Sequence, residues 1–280
     1  MSASARRRRP FLDADRPLCF AHRGGAKLWP ENTLVAFEGA LGMGARYLET
    51  DVHATRDGVL VVHHDDCVDK TTNGSGRIRD MRYAELARLD AGYHFTQDGR
   101  TYPYRGKKVG IPTLADVFAL SSRAHVNVEL KPDDESVAQK LWHFIEAHDL
   151  HDRILVASSK DRQIKHFRKC SFARVATSAS MREALEFWAA VRLRLDRALA
   201  VAFDALQVPR TYRGLTVVDK GFVRAAHRRG VQVHVWTIDD PMEMRLLLEL
   251  GVDGLMSDRP DWLLSHHHRP AAEATEAVPP

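Results

Sequence analysis

A chain of 280 residues with 44% hydrophobic residues is long enough for one large core and too apolar for a disordered or fibrous protein. Its formal charge of +4 is carried by the run Arg6 to Arg9, so the remainder is near neutral, which argues against nucleic acid as the main partner. No stretch of about 18 apolar residues occurs, so no membrane-spanning helix or stable membrane insertion is expected, and three widely spaced cysteines without a C-x-x-C pair suit a reducing, cytoplasmic setting.

In chain order, residues 1–15 read as a flexible tail. From residue 16 to 264, short apolar runs alternate with longer helical patterns, the rhythm of βα units around a parallel sheet. The apolar runs fall at 18–21, 47–52, 126–130, 154–156, 173–176, 201–206, 231–236 and 254–256. Helical stretches include 33–44, 134–148, 181–198, 219–229 and 241–251; the last starts on Asp239-Asp240-Pro241 and stops at Gly251. Eight such units predict a closed TIM (β/α)8 barrel, with an open doubly wound sheet as the alternative for fewer or unequal units. From about 65 to 110 the rhythm breaks, which predicts a small insertion after the second unit, on the face where barrel enzymes carry their active sites. Residues 265–280 offer too little apolar surface to pack and read as a disordered tail, with His266 to His268 solvated in it.

Charge interrupts the apolar strands at their ends. Glu49 and Asp51 close the second strand on one face, since strand side chains alternate, and Glu129 with Lys131 closes the third. His22-Arg23 ends the first, and His64-Asp65 ends a strand-like run that opens the insertion. In a barrel these ends meet at one rim. Three crowded carboxylates repel unless protonated or bound to a cation, and hard ions such as Mg²⁺ or Ca²⁺ prefer oxygen ligands. The competing reading is that Glu49, Asp51 and Glu129 are salt-bridged to Arg23 and Lys131. Beside an acidic metal site, Arg23 and Lys131 are natural clamps for a phosphoryl group. His22 and His64 titrate nearest neutral pH and are the candidates for moving protons. His63 should face away from His64, and His53 should lie behind the site. Trp236, ending the seventh run, either walls a substrate cavity or packs in the barrel.

These residues carry a resemblance. Ala21-His22-Arg23-Gly24-Gly25 followed by Pro30-Glu31-Asn32-Thr33, then Glu49-Thr50-Asp51, His64-Asp65-Asp66, Thr71-Thr72-Asn73-Gly74-Ser75-Gly76, Glu129-Leu130-Lys131, Val235-Trp236-Thr237 and Ser257-Asp258 resemble, in order, the motifs of the glycerophosphodiester phosphodiesterase family. The resemblance is closest to its cytoplasmic bacterial type. It implies a TIM barrel with an inserted subdomain and cleavage of glycerophosphodiesters to glycerol 3-phosphate and an alcohol. It also implies His22 and His64 as acid and base, Arg23 on the phosphate, Lys131 beside the site, and Glu49, Asp51 and Glu129 on a divalent metal ion. Glu31 and Asn32 look structural. The alternative activity is that of a lysophospholipase D acting on acylated glycerophospholipids; from another class, a non-catalytic sensor of phosphate esters would fill the same positions. The sequence does not give an oligomeric state.

Overall fold

The computed structural model describes residues 9–13 and 17–267, the side chains of His266 and His267 excepted. Eight parallel strands form the frame: β1 (Leu18–Ala21), β2 (Tyr47–Ala54), β3 (His125–Leu130), β4 (Ile154–Ala157), β5 (Ala176–Thr177), β6 (Ala205–Pro209), β7 (Gln232–Trp236) and β8 (Gly254–Ser257). Each pairs with the next in chain order, except that β5 meets β6 only through a bridge between Ser178 and Ala205. β8 pairs with β1 and closes the ring, giving a TIM barrel. The strands are nearly all buried on both faces, as a sheet covered by helices requires.

The outer layer is α1 (Leu34–Gly42), α2 (Leu114–Ala119), α3 (Glu135–Ala147), α4 (Asp161–Cys170), α5 (Met181–Arg192), α6 (Lys220–Arg228), α7 (Pro241–Glu249) and α8 (Pro260–His267). Their starts follow from the sequence. Thr33, Asp134, Asp219 and Asp240 each cap an orphan backbone N–H with a side-chain oxygen, and Thr113 and Ser180 form capping boxes with Asp116 and Glu183. Two apolar layers lie between sheet and helices, one behind β2 to β4 and one behind β6 to β8. α5 ends at Arg192, short of the sequence expectation of residue 198. The strand expected at 201–206 begins later, because Phe203 packs outward against Phe187 while the ladder starts at Ala205, and the one expected at 173–176 begins at Ala176.

The barrel interior is filled rather than open. Phe20, Tyr47, Leu155, Ala157, Ala205 and Met256 form one cluster, and Phe11 and Leu12 seal it. These two sit on a 3₁₀ turn, Pro10–Leu12, within the stretch expected to be a tail. Their burial corrects that expectation: two large apolar side chains next to the open end of a barrel lower the free energy by packing there. Tyr47 Oη donates to the Phe11 carbonyl at 3.1 Å and Gln232 Nε2 to that of Leu12 at 2.9 Å. Arg9 pairs with Asp204 at 3.0 Å, whereas Arg6 to Arg8 and the C-terminal stretch 268–280 lie outside the described residues. Gly254 lies where a Cβ would meet His234 at 2.9 Å and Phe20 at 3.0 Å, so this point of the packed interior accepts no side chain.

The insertion follows β2. A strand, Leu60–Val62, runs antiparallel to β2 and turns the chain back across the rim. A 3₁₀ turn (Ile78–Asp80) and a short helix (Tyr83–Leu86) follow, around a small core of Val61, Val68, Ile78, Leu86, Ala91 and Ile111. Among the described residues no helix is long and apolar enough to cross a membrane, and Cys19, Cys67 and Cys170 are unpaired.

Candidate active site

Strand register assembles the acidic cluster. β2 and β3 pair so that Asp51 stands opposite Glu129, and Glu49 lies two residues back on the same face. One carboxylate oxygen from each of Glu49, Asp51 and Glu129 lies within 4.8 Å of the others, with Glu49 and Asp51 buried. Burial, then the neighbouring Asp51 carboxylate, pushes Glu49 up to about 7. Burial also raises Asp51, but Lys131, Arg23, His64 and the Asn32 hydrogen bond outweigh it and hold the group below the usual range. This donor set is all oxygen, close and partly desolvated, which fits a hard divalent cation.

The two cations expected to clamp phosphate line this cluster. Lys131 Nζ is 3.3 Å from both Asp51 and Glu129. Arg23 Nη1 is 3.1 Å from Glu31, and its buried Nε faces Asp51 at 3.4 Å without a hydrogen bond. Asp51 is therefore salt-bridged to both cations and Glu129 to Lys131, while Glu49 accepts the backbone N–H of Arg23 at 3.1 Å, and the three are also gathered as a metal-type cluster. Asn32 explains the local order. Its Nδ2 donates to Asp51 at 2.9 Å and its Oδ1 accepts from Thr50 at 2.8 Å, which fixes the loop above β2. Gly24, at a φ of 81°, lets this loop cross α1 where a Cβ would come within 2.7 Å of Ala36.

Both histidines reach the rim, each bound through Nδ1 to a carboxylate. His22 Nδ1 is 2.7 Å from Asp258 Oδ1, and its Nε2 lies 3.7 Å from Glu49. The β1–β8 register places Ala21 beside Ser257, so the next residues of the two strands, His22 and Asp258, meet across the rim. Burial lowers the proton affinity of His22, but Glu49 and Asp258 raise it further, and the group sits above its ordinary value. His64 Nδ1 is 2.7 Å from the adjacent Asp65. A carboxylate only accepts, so in each pair Nδ1 carries the hydrogen and Nε2 is left for chemistry. His63 points away as expected, to the Asp65 carbonyl at 2.8 Å and Thr71 at 3.0 Å. His53 lies behind, 3.3 Å from the His64 carbonyl. Burial holds both below the usual imidazole range.

Trp236 ends β7 with 42% of its surface exposed, so it is not barrel packing. Asp65 and Asp258, as partners of the histidines, were quoted in the sequence motifs but given no role there. The adjacency of His64 and Asp65 was a readable signal; the pairing of His22 with Asp258, 236 positions away, needed the closed barrel.

Residues 22–262 match the model of the Glycerophosphoryl diester phosphodiesterase family. The chain belongs to that family. It is 34% identical over 260 residues to "Probable glycerophosphodiester phosphodiesterase 2" of Mycobacterium tuberculosis, an alignment spanning 90% of this chain and 91% of that protein. It is 25% identical to human "Lysophospholipase D GDPD1" over 89% of this chain and 85% of that one. A phosphodiesterase of Oleispira antarctica, solved in complex with the product sn-glycerol-3-phosphate, superposes with a TM-score of 0.70 at 27% identity, covering 90% of this chain and 97% of that one. This family member is a glycerophosphodiester phosphodiesterase.

Proposed function

We propose that the chain hydrolyses glycerophosphodiesters to glycerol 3-phosphate and an alcohol in a metal-dependent displacement at phosphorus, with His22 and His64 as acid and base. The observation that carries this reading is the placement of His22 Nε2 beside Glu49 at the edge of the three-carboxylate cluster, with Nδ1 already committed to Asp258. Glu49, Asp51 and Glu129 hold a divalent cation, Mg²⁺ or Ca²⁺, which when bound draws off negative charge from the phosphoryl oxygens. Arg23 and Lys131 bind non-bridging oxygens, the first through its guanidinium fork and the second as a point charge. One imidazole takes the proton of the attacking hydroxyl; the other gives a proton to the departing alkoxide, so no free alkoxide is released. Trp236 offers an apolar wall to the substrate from the rim. The substrate is small and dissolved, and the enzyme meets it in the cytoplasm.

The test is release of choline and glycerol 3-phosphate from glycerophosphocholine, with and without chelator. Turnover that vanishes with chelator and returns with Mg²⁺ or Ca²⁺ is expected; binding without hydrolysis in either ion overturns the reading. The likeness to the human lysophospholipase D favours a second reading, in which the substrate keeps an acyl chain against exposed Trp236. Lysophosphatidylcholine assayed in parallel separates the two: a higher kcat/KM for the acylated diester makes the second reading the correct one.

A further inference from the structure

Asp239 lies in the loop between β7 and α7 and touches neither histidine nor acidic cluster, yet three rim loops converge on it. Its Oδ1 accepts from Ser257 Oγ at 2.9 Å and from the backbone N–H of Asp258 at 2.8 Å. Its Oδ2 is 2.9 Å from Lys27 Nζ, on the loop that carries His22 and Arg23. The backbone of Lys27 closes the circuit, donating to the Asp258 carbonyl at 3.3 Å. The insertion joins from outside, with Gln97 Nε2 donating to the Lys27 carbonyl at 3.1 Å. Asp258 is therefore held at its N–H and its C=O, and the one free part of it, the carboxylate, faces His22 Nδ1.

We propose that Asp239 is a positioning residue for the reaction: by fixing the backbone of Asp258 it keeps that carboxylate on Nδ1 of His22, which locks the imidazole tautomer and turns Nε2 toward the acidic cluster. The inference rests on the role of His22 in the proposed function. An imidazole can carry its hydrogen on either nitrogen, and the hydrogen bond at one nitrogen selects which. A carboxylate held a fraction of an ångström off loses that selection. Partners that orient metal-bound imidazoles are worth about 10–100-fold in metal affinity or activity, and we take the same scale for an imidazole beside a metal-type cluster. Ser257 belongs to the same device, since its hydroxyl donates to Asp239 while accepting the N–H of Arg259 at 3.0 Å.

The experiment is a double-mutant cycle on the full chain, reading kcat and KM for glycerophosphocholine and the His22 tautomer from side-chain nitrogen NMR. Asp258→Asn should lower kcat about 100-fold and Asp239→Ala about 10-fold, each with KM within about threefold. The double variant should be no slower than Asp258→Asn alone, because Asp239 acts through Asp258. Asp239→Asn, which keeps Oδ1 as acceptor, should recover most of the activity and the single His22 tautomer. Additive losses, or Asp239→Ala at wild-type kcat with an unchanged tautomer, overturn the proposal. If Asp239→Ala does not fold, Ser257→Ala carries the test: kcat should fall about threefold in the wild-type background and not at all in the Asp258→Asn background. No fall in the wild-type background overturns it. His22→Ala, run alongside, separates the two readings, since its full activity sinks the role of His22 and not merely that of Asp239.

Discussion

The two histidine–carboxylate pairs have the same contact distance and opposite origins. His22 and Asp258 are 236 positions apart, meet only because β8 closes against β1, and have 15% and 20% of their side chains exposed. His64 and Asp65 are neighbours in the chain at the start of the insertion, with 26% and 35% exposed, and Asp65 is shared with Lys70 at 3.7 Å. One dyad is a property of the barrel; the other is a property of a dipeptide. A pair fixed by global topology has few alternative arrangements, because its backbones belong to different strands. A local pair at an exposed edge can trade its carboxylate for water.

The comparison breaks first if the two histidines are not both essential. His22→Ala and His64→Ala should each reduce turnover of glycerophosphocholine by roughly two to four orders of magnitude, with Mg²⁺ or Ca²⁺ binding and melting temperature retained. Calorimetric metal titration beside steady-state kinetics checks both parts. If one variant keeps near-normal kcat, the symmetric acid and base assignment fails for that side.

The difference between the two dyads predicts unequal cost when the carboxylate is neutralised. Asp65→Asn should lower kcat by about tenfold or less, against the hundredfold expected for Asp258→Asn, because the His64–Asp65 pair is the more exposed of the two and water can replace the lost partner. In the less exposed pair the asparagine can present N–H or C=O to Nδ1, and less solvent is at hand to replace the lost carboxylate. Parallel kcat measurements on the two variants check it; equal losses mean that exposure does not govern these pairs.

The same contrast explains what the sequence could reveal. The acidic cluster was legible because Glu49 and Asp51 alternate on one strand and Glu129 ends the next, so period-two geometry and a barrel rim suffice to bring them together. The alternation of strand and helix signals was legible for the same reason: it is written within each segment. Asp258, Asp239 and Lys27 were not, since Lys27 lies more than two hundred residues before the other two, and Asp239 and Asp258 sit on separate loops. Phe11 and Leu12 were misplaced in a tail because a segment of few residues, flanked by arginine and aspartate, shows no period. Only the open floor of the finished barrel gives those two side chains a place to go.

Lengthening the carboxylate probes the comparison most finely. Asp65→Glu keeps the charge and adds one methylene at a partly exposed site in irregular chain, where a rotamer change toward solvent absorbs it at small cost. Its kcat should stay within about threefold of wild type. Asp258→Glu adds the same methylene where the backbone is pinned by Asp239 and by Lys27 N–H, so the longer arm overshoots Nδ1. Its kcat should fall nearly as far as that of Asp258→Asn, by about 100-fold. Measured together, the two glutamate variants separate charge from placement. If Asp258→Glu is as active as Asp65→Glu, then a nearby negative charge is all that His22 requires, and the rigidity of the closed barrel at this point has no catalytic consequence.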